Sequence, residues 1–537
     1  MVCQRRRDGA GGVTAAGRKA SQGVGPVSEL GPDWGVRRAV IFLLACTALL
    51  AAAQNGDDGY TLFAPLQSTT TYLIDSTGRV VHRWESEYRP GHAVYLLDDG
   101  SILRCGRSGD NEVFHGGGEG GRIQRIAWDG ELLWDFSWSD ESHLQHHDIE
   151  PMPDGSVLVL SWELRSREEA LAAGRDPAGL PAGELWPDAV FQIVPEGRSG
   201  GRVVWEWHAW DHLVQDRDPD LPGYGVVAEH PEKIDLNFGL ADRGLEEDEI
   251  AGLAGLGYVD DPGAGEDDRP PASRAGFQGA DWMHTNAIDY HPERDQILLS
   301  VRNFHEIWII DHGTTSEEAA GPAGDLLYRW GNPAAYGVGT AADQRLFGQH
   351  DARWIEEGRP GAGHVLLFNN GAGRADGNWS SVDELELPWD GAAYRREGPV
   401  YGPRRLVWRY RADDKESFFS GHISGAERLA DGNTLICSGE EGRIFEVDPA
   451  GTVVWEYSNP FGEAPGRRGP GGRPGGPPPR GRRGPPPGPP GRPGGGGRGG
   501  PGRGNEAKAL FRATRIEAGH PGLARLAEPA AVDGVGS

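Results

Sequence analysis

The chain has 537 residues, enough for two or three average domains or for one large β domain. Its 18 tryptophans and 84 glycines against 3 methionines favour a β architecture with many turns over a helical bundle. The formal net charge is −27, and residues 464–504 carry nine arginines and no acid, which leaves −36 for the rest of the chain. A surface that acidic repels nucleic acid and anionic membranes, so we expect neither as a partner.

The N-terminal region has the pattern of an export signal. Arg37 and Arg38 precede the apolar run AVIFLLACTALLAAA (39–53), and the small residues at 51–53 are typical of a cleavage site. The run is short for a membrane span. We therefore predict an N-terminal extension and secretory signal over residues 1–53, with the signal itself at 36–53, and a periplasmic or secreted protein. A lipoprotein cleaved at Cys46 and a plain membrane anchor are the alternatives.

A short apolar–aromatic motif then recurs six times. Each copy has two aliphatic residues and an aromatic residue three positions after the second, and in several copies an aspartate–turn–glycine sequence precedes it, as expected of a hairpin. The copies are VVHRW (80–84), LLWDF (132–136), VVWEW (203–207), LLYRW (326–330), LVWRY (406–410) and VVWEY (453–457).

A second hairpin motif usually follows each copy, as in YLLDDGSILR (95–104), EPMPDGSVLVL (150–160) and ERLADGNTLIC (427–437). Four strands in each of six units predict an all-β, six-bladed β-propeller with long loop insertions, over residues 54–463. Cys105 and Cys437 end similar strands in different repeats, so we expect them to lie too far apart for a disulfide.

Two stretches interrupt this pattern. Residues 211–280 are an acidic, loop-like insertion of the kind that shapes the site on one face of a propeller. Residues 464–504 contain Gly, Pro and Arg with no aliphatic residue and predict a disordered loop. In the C-terminal segment, 505–537, KALFRATRI (508–516) predicts a strand that returns to complete the last blade.

Histidines precede the second hairpin of successive units. Because equivalent positions in a propeller are related by rotation about the central axis, they predict a ring of imidazoles at one mouth of the channel. A structural role, with each imidazole tying one blade to its neighbour, is the alternative. The set comprises His92, His146, His147, His284, His350 and His422.

Arg302 changes the chemistry expected of this ring. It lies eighteen residues after His284, at the end of the following strand, in ILLSVRNF. A guanidinium repels a metal cation but binds sulfate or phosphate through a forked pair of N–H groups. The combination therefore favours an oxyanion site over a metal site.

These residues resemble the bacterial arylsulfate sulfotransferases. The resemblance rests on HHDI, on DWMHTNA with SVRNF eighteen residues after its histidine, on GQHDA followed by FNNG, and on WEWHAWDHLVQD (205–216), and it covers most of residues 58–460. It implies a periplasmic six-bladed propeller that moves a sulfuryl group from a phenolic sulfate ester to another phenol. Neither a cofactor nor the nucleotide sulfate donor (PAPS) is implied, and the reaction passes through a sulfated histidine.

The resemblance also implies roles for individual residues. His350 matches the nucleophile, and His284, Asn286 and Arg302 match residues that hold the sulfuryl oxygens. His147 matches a further catalytic residue, with its neighbour His146 left as the alternative, and both His146 and His422 are expected to bind substrate. Asp351 is a candidate to orient His350.

Two other functions remain open from the residues alone. Three or four converging imidazoles are ordinary ligands for zinc or copper, so a metal-dependent propeller enzyme is one alternative. A non-catalytic propeller that binds a partner or polysaccharide is the other. We expect a small-molecule aryl sulfate and a phenol as substrates and no stable membrane span in the mature chain, and the sequence leaves a homo-oligomer open.

Overall fold

The structure, a computed structural model, describes residues 59–239, 247–256, 258–259, 275–462 and 508–527. Six four-stranded antiparallel sheets make up its main part. One edge strand of each sheet contacts the corresponding edge strands of the two neighbouring sheets. The six sheets are therefore the blades of a six-bladed β-propeller around a central axis. The predicted fold class is therefore confirmed.

Each blade uses strands that are consecutive in the chain, except blade 1. Blade 1 contains Tyr60–Pro65, Thr70–Asp75, Val80–Glu85 and Leu510–Ile516. The strands of blades 2 and 3 are Pro90–Leu96, Ile102–Arg107, Gly121–Ile126 and Leu132–Ser137, then His143–Pro151, Val157–Glu163, Asp188–Glu196 and Gly200–His208. Blade 4 contains Thr285–His291, Gln296–Val301, Glu306–Asp311 and Tyr328–Trp330. Blade 5 contains His350–Trp354, Val365–Asn369, Ser381–Leu385 and Trp408–Tyr410. Blade 6 contains Gly425–Arg428, Thr434–Ser438, Arg443–Val447 and Val453–Ser458.

Short elements decorate the loops between these strands. Three two-stranded pairs join Arg165–Ser166 to Glu184–Leu185, Leu213–Val214 to Ile234–Asp235, and Arg396–Glu397 to Val400–Tyr401. The described α-helices are Arg167–Ala172, Glu247–Leu256 and Ser316–Ala319. The described 3-10 helices are Pro177–Gly179, Ala209–His212, Val227–Glu229, Gly276–Gln278, Arg302–Phe304, Pro322–Gly324, Pro333–Tyr336, Ala341–Asp343, Lys415–Ser417 and Pro521–Ala527.

The recurring motif forms the outermost strand of every blade, and its third residue explains why the motif recurs. In each copy this residue donates a hydrogen bond of 2.6 to 3.3 Å to the connection between the third and fourth strands of the next blade. The aromatic body packs between blades while its polar tip fixes their spacing. The six donors are His82, Trp134, Trp205, Tyr328, Trp408 and Trp455.

The strand that KALFRATRI predicts is present as Leu510–Ile516, and it closes the ring. It pairs antiparallel with Tyr60–Pro65 as the innermost strand of blade 1. The sheet that contains VVWEY already holds four strands of its own. The sequence repeat is thus out of phase with the blade, because each motif copy ends one blade and the hairpin after it begins the next.

Arg512 of this closing strand fills the centre of the channel. Its guanidinium binds both oxygens of Asp148 at 2.7 and 2.8 Å and Asp351 at 3.2 Å, and it also donates to the Tyr95 hydroxyl. Arg353 adds a second cation to Asp351 at 2.7 Å. We call these five residues the arginine plug; it ties blades 1, 2, 3 and 5 together.

Several sequence predictions fall outside the described residues: the N-terminal extension and signal (1–53) and the Gly/Pro/Arg-rich loop (464–504). Cys105 and Cys437 are free, buried, and lie in the second strands of blades 2 and 6. Among the described residues, the helices are all too short or too polar to cross a membrane.

Candidate active site

The histidine end of the channel begins where the innermost strands are irregular. In five blades a residue with positive φ lies within the innermost strand or directly before it, a conformation that non-glycine residues rarely adopt and that clusters at functional sites. Register shifts beside four of them mark β-bulges, which re-aim the adjacent side chains. The five are His92, His147, His284, Asp351 and Ser424.

His350 is fully buried, and its hydrogen bonds define its protonation. Nδ1 lies 2.8 Å from Oδ1 of Asn370 and 3.1 Å from the carbonyl of Gly348, so Nδ1 carries the proton. Nε2 accepts the backbone N–H of Ile423 at 3.2 Å, a long contact, and therefore carries the lone pair. Burial and the charge of Arg302 hold the pKa of His350 well below its ordinary value, so the ring is neutral near pH 7.

Asn370, rather than Asp351, orients His350. The amide nitrogen of Asn370 donates to the carbonyls of Ser420 and Ile423, which turns its oxygen toward the imidazole. The carboxylate of Asp351 belongs to the arginine plug and accepts the backbone N–H of Ala426. Asn370 is the second asparagine of the FNNG stretch, so its position was visible in the sequence although its role was not.

His284 is held by a carboxylate in the manner expected of a catalytic imidazole. Its Nδ1 donates to Oδ2 of Asp281, whose other oxygen accepts the indole N–H of Trp162 at 3.0 Å. This bond places the Nδ1 proton and turns the Nε2 lone pair inward. Burial outweighs the attraction of Asp281, so the pKa of His284 is lowered.

His147 faces the site, and His146 stands behind it. The rings of His147 and His284 lie 4.5 Å apart, centroid to centroid. His146 stacks on Trp162, contacts Nδ1 of His147 through its own Nδ1 at 2.8 Å, and has Nε2 3.3 Å from Asp188. Burial and the neighbouring histidines lower the pKa of His147 well below its ordinary value.

Tyr258, which the sequence reasoning missed, joins the two inner histidines. Its hydroxyl lies 2.6 Å from Nε2 of His147 and 2.9 Å from Nε2 of His284, and the residue is only 2% exposed. A Cβ at Gly117 would overlap its ring, so the glycine makes room for it. Tyr258 comes from the 211–280 insertion, where no periodicity in the sequence singles it out.

Arg302 supplies a cation that has no carboxylate partner in the described part of the chain. Its Nη1 donates to Oδ1 of Asn303 at 3.0 Å, and its buried Nε has no hydrogen-bond partner among the described residues. Burial, together with the smaller effect of the Arg302 charge, lowers the pKa of His284, of His350 and of His305, the last to about 4. The neutral Nδ1 of His305 accepts the N–H of Gly348 at 3.0 Å, which steadies the segment that carries His350.

The remaining predicted residues take three different places. Asn286 donates to the carbonyl of Gln349 at 2.7 Å, which also steadies the His350 segment, while its buried oxygen has no partner in the described part of the chain. His422 is half-buried at the pocket wall and bonds Glu440 at 3.1 Å. His92 packs against Tyr258 and Phe511 as a neutral ring, because burial lowers its pKa well below the ordinary value.

A pocket opens beside His284 and Arg302, whereas His350 and His147 are fully buried and do not form part of its wall. It encloses about 980 Å³, part of which is open to solvent, and His284, Arg302, Tyr258 and His422 form its polar wall. Aromatic side chains form much of the rest: Phe238, Phe277, Trp282 and Phe304. Within the ranges that the structure describes, no group of three or more His, Cys, Asp or Glu side chains is arranged to hold a metal ion.

A family model described as Arylsulfotransferase (ASST) matches residues 51–459. No curated protein sequence matches the chain. Three solved structures are similar to it at low identity. A protein of unknown function from Bacteroides caccae is 13% identical, covering 74% of this chain and 93% of its own, with a TM-score of 0.38. The second is the Cps50 (Swd1) β-propeller domain of Myceliophteria thermophila, which is 10% identical and covers 76% of this chain and 88% of its own, with a TM-score of 0.34. The third is virginiamycin B lyase from Staphylococcus aureus, which is 9% identical and covers 76% of this chain and 85% of its own, with a TM-score of 0.31.

Proposed function

Because this chain belongs to the arylsulfotransferase family, we propose that it transfers a sulfuryl group from an aryl sulfate ester to a phenol through a sulfated His350. Family membership by itself implies aryl sulfotransferase activity. The histidine intermediate, the independence from a nucleotide sulfate donor and the phenolic acceptor are the further content of the proposal.

The state of His350 is the observation that carries the proposal. A neutral imidazole with its Nδ1 proton bonded to Asn370 presents a lone pair on Nε2, and that atom is a competent nucleophile near pH 7 without a separate base. The contact from the Ile423 N–H is long, and attack on sulfur breaks it. A merely structural histidine has no need of a nearby arginine that, among the described residues, lacks a carboxylate partner.

Arg302 and the inner histidines suit the charge that develops during transfer. The sulfuryl oxygens carry negative charge throughout, and a guanidinium fixed in the wall of the pocket stabilises that charge. Arg302 has N–H groups to offer because Asn303 occupies only one of its nitrogens. The aromatic wall of the pocket matches the aryl group of the donor.

The proposed reaction has two half-reactions on one site. Nε2 of His350 attacks sulfur, the N–S bond forms, and the S–O bond breaks with its electron pair on the departing phenolate. The oxygen of the acceptor phenol then attacks the same sulfur, loses its proton, and releases neutral His350. This sequence predicts ping-pong kinetics with aryl sulfate and phenol.

The direct test is to trap the intermediate. The protein is mixed with 4-nitrophenyl sulfate in the absence of an acceptor, quenched rapidly at alkaline pH, and digested for mass analysis. We expect one sulfuryl group on the peptide that contains His350, together with a burst of nitrophenolate equal to the enzyme concentration.

The His350→Asn variant is the matched control. It keeps a polar side chain of similar reach at that position, so we expect a folded protein with no adduct and with turnover reduced by roughly 10⁴-fold or more. Near-normal turnover in His350→Asn, or activity lost to a chelator and restored by zinc or copper, would rule out the sulfohistidine pathway. Unfolding of this variant and of His284→Asn alike would favour the structural role of the ring.

A further inference from the structure

Several contacts fix the position of Tyr258 in the site. Nη2 of Arg107 donates to its carbonyl at 3.1 Å, and its own N–H donates to the carbonyl of Leu253 at 3.0 Å. Its ring meets His92 edge-on at 5.2 Å. The hydroxyl therefore stands at a fixed point between two imidazoles on the wall of the pocket.

The hydroxyl is the middle of a chain of polar contacts. From one end to the other the chain runs Asp188, His146, His147, Tyr258, His284 and Asp281. The four inner contacts from His146 to Asp281 are hydrogen bonds of 2.9 Å or less, whereas His146 lies 3.3 Å from Asp188 without hydrogen-bond geometry. The chain thus has one weak contact, at its Asp188 end.

The number of protons in the chain of contacts decides whether His146 and Asp188 form a hydrogen bond. Each hydrogen bond needs one proton, and three neutral imidazoles and one phenol supply four, which satisfies the four close contacts. A fifth proton would complete the bond between His146 and Asp188. The chain can therefore exist with four protons or with five, and the difference between the two states is one mobile proton.

Resting on the proposed function, we propose that Tyr258 is a further catalytic residue, which passes this proton to the departing phenolate and takes it back from the acceptor phenol. A hydroxyl suits the task because it donates and accepts through the same oxygen. Burial raises the pKa of Tyr258, so the hydroxyl does not ionise by itself and gives up its proton only as His147 replaces it.

The first half-reaction starts from the five-proton state, in which His146 carries a proton on both ring nitrogens. In the first half-reaction the Tyr258 O–H bond breaks toward the phenolate oxygen, Nε2 of His147 gives its proton to the Tyr258 oxygen, and Nδ1 of His146 gives its proton to Nδ1 of His147. His146 keeps its Nε2 proton beside Asp188, and a neutral phenol leaves. In the second half-reaction the acceptor hydroxyl gives its proton to Tyr258 as its oxygen attacks sulfur, and the same shifts run in reverse.

The experiment compares Tyr258→Phe with the unaltered protein across donors whose phenols differ in acidity. Release of the first phenol is measured in single turnovers, with 4-nitrophenyl, phenyl and 4-methoxyphenyl sulfate. Phenol itself has a pKa of about 10, so its anion leaves poorly without a proton, whereas nitrophenolate leaves readily. We expect the variant to lose about 100-fold or more with phenyl and 4-methoxyphenyl sulfate and less than about 10-fold with 4-nitrophenyl sulfate.

Tyr394→Phe is the matched control. Tyr394 is also buried and donates one hydrogen bond, to Gln296 at 2.7 Å, between blades 4 and 5 and away from the pocket. We expect this variant to follow the unaltered protein with every donor.

Any one of four results would overturn the inference. An equal loss with all donors would show that Tyr258 only supports the packing of the site. A sulfuryl group found on Tyr258 would show that it is an acceptor, because a sulfate ester has no proton to give. If the unaltered protein forms no sulfated His350, both the proposed function and the inference fail. If His350 is sulfated but Tyr258→Phe leaves the dependence of the rate on the donor unchanged, only the inference fails.

Discussion

The arginine plug and the histidine end occupy adjacent levels of one channel and handle buried polarity in opposite ways. In the plug every charge has an opposite charge within 3.2 Å, as Arg512 has in Asp148 and Asp351. At the histidine end burial lowers the pKa of His147, His284 and His350, and Arg302 has no carboxylate partner among the described residues. Paired charges hold blades together, whereas an unpaired cation leaves room for an anion that arrives from outside.

The two levels share the same strands. His147 is followed by Asp148, and His350 by Asp351, so adjacent residues of one strand serve opposite levels. The β-bulge at each of these positions re-aims the adjacent side chains, which separates the reactive residue from the one that stabilises the ring. Substitutions at each level should therefore separate stability from activity.

The largest expected effect is on the plug. Arg512→Met removes the cation and leaves Asp148 and Asp351 buried with less compensation, so we expect the free energy of unfolding to fall by about 3–5 kcal/mol. Denaturant unfolding measures it. Arg443→Met is the control, since its pair with Glu456 is partly exposed and should contribute no more than about 1 kcal/mol.

The contrast between the arginine plug and the histidine end would be wrong if Arg512→Met were as stable as the parent protein but inactive. That result would place Arg512 in the catalytic machinery rather than in the closure of the ring. We expect instead that the fraction still folded transfers sulfuryl groups at close to the normal rate.

The converse variant is Arg302→Leu. It leaves the plug intact and removes the charge offered to the sulfuryl oxygens, so we expect kcat to fall by about 10²- to 10³-fold with the unfolding free energy changed by less than about 1 kcal/mol. Steady-state rates and denaturant unfolding on the same sample measure both.

Arg302→Lys sharpens this result. A lysine keeps the charge but loses the forked pair of N–H groups, so an intermediate loss of kcat is expected. Activity of Arg302→Leu close to the parent level would contradict an oxyanion role for this residue.

The smallest expected effect concerns pH. The pKa of His92 is well below its ordinary value of 6.5 in the folded protein, so below pH 6.5 the unfolded chain binds a proton that the folded chain does not. Stability contributed by the neutral ring is complete above pH 6.5 and falls by at most about 1.4 kcal/mol per pH unit below it. His92→Phe should remove this loss.

The measurement compares unfolding free energies at pH 7.5 and 5.5 in the two proteins. The difference between them isolates the histidine, because Asp289, whose pKa burial raises to about 7, shifts the stability of both in the opposite direction. Identical pH dependence in the two proteins would mean that His92 is protonated in the folded state.

The repeats in the sequence predicted the fold. Six copies of an apolar–aromatic motif predicted six blades, and the structure adds that the third residue of each copy bonds the next blade. The predicted site residues His147, His284, Arg302 and His422 do lie around one pocket or directly behind its wall. Their catalytic roles stay predictions until the intermediate is trapped.

The sequence by itself determined what repeats, namely the blade and the equivalent histidines. These follow from periodicity, because rotation about one axis places equal positions at equal depth. Only the tertiary structure decided which partner each side chain meets. Asn370 orients His350, Arg512 returns from the far end of the chain to pair with Asp148, and Tyr258 enters from an insertion without periodicity. Such contacts join residues distant in sequence, and no local pattern encodes them.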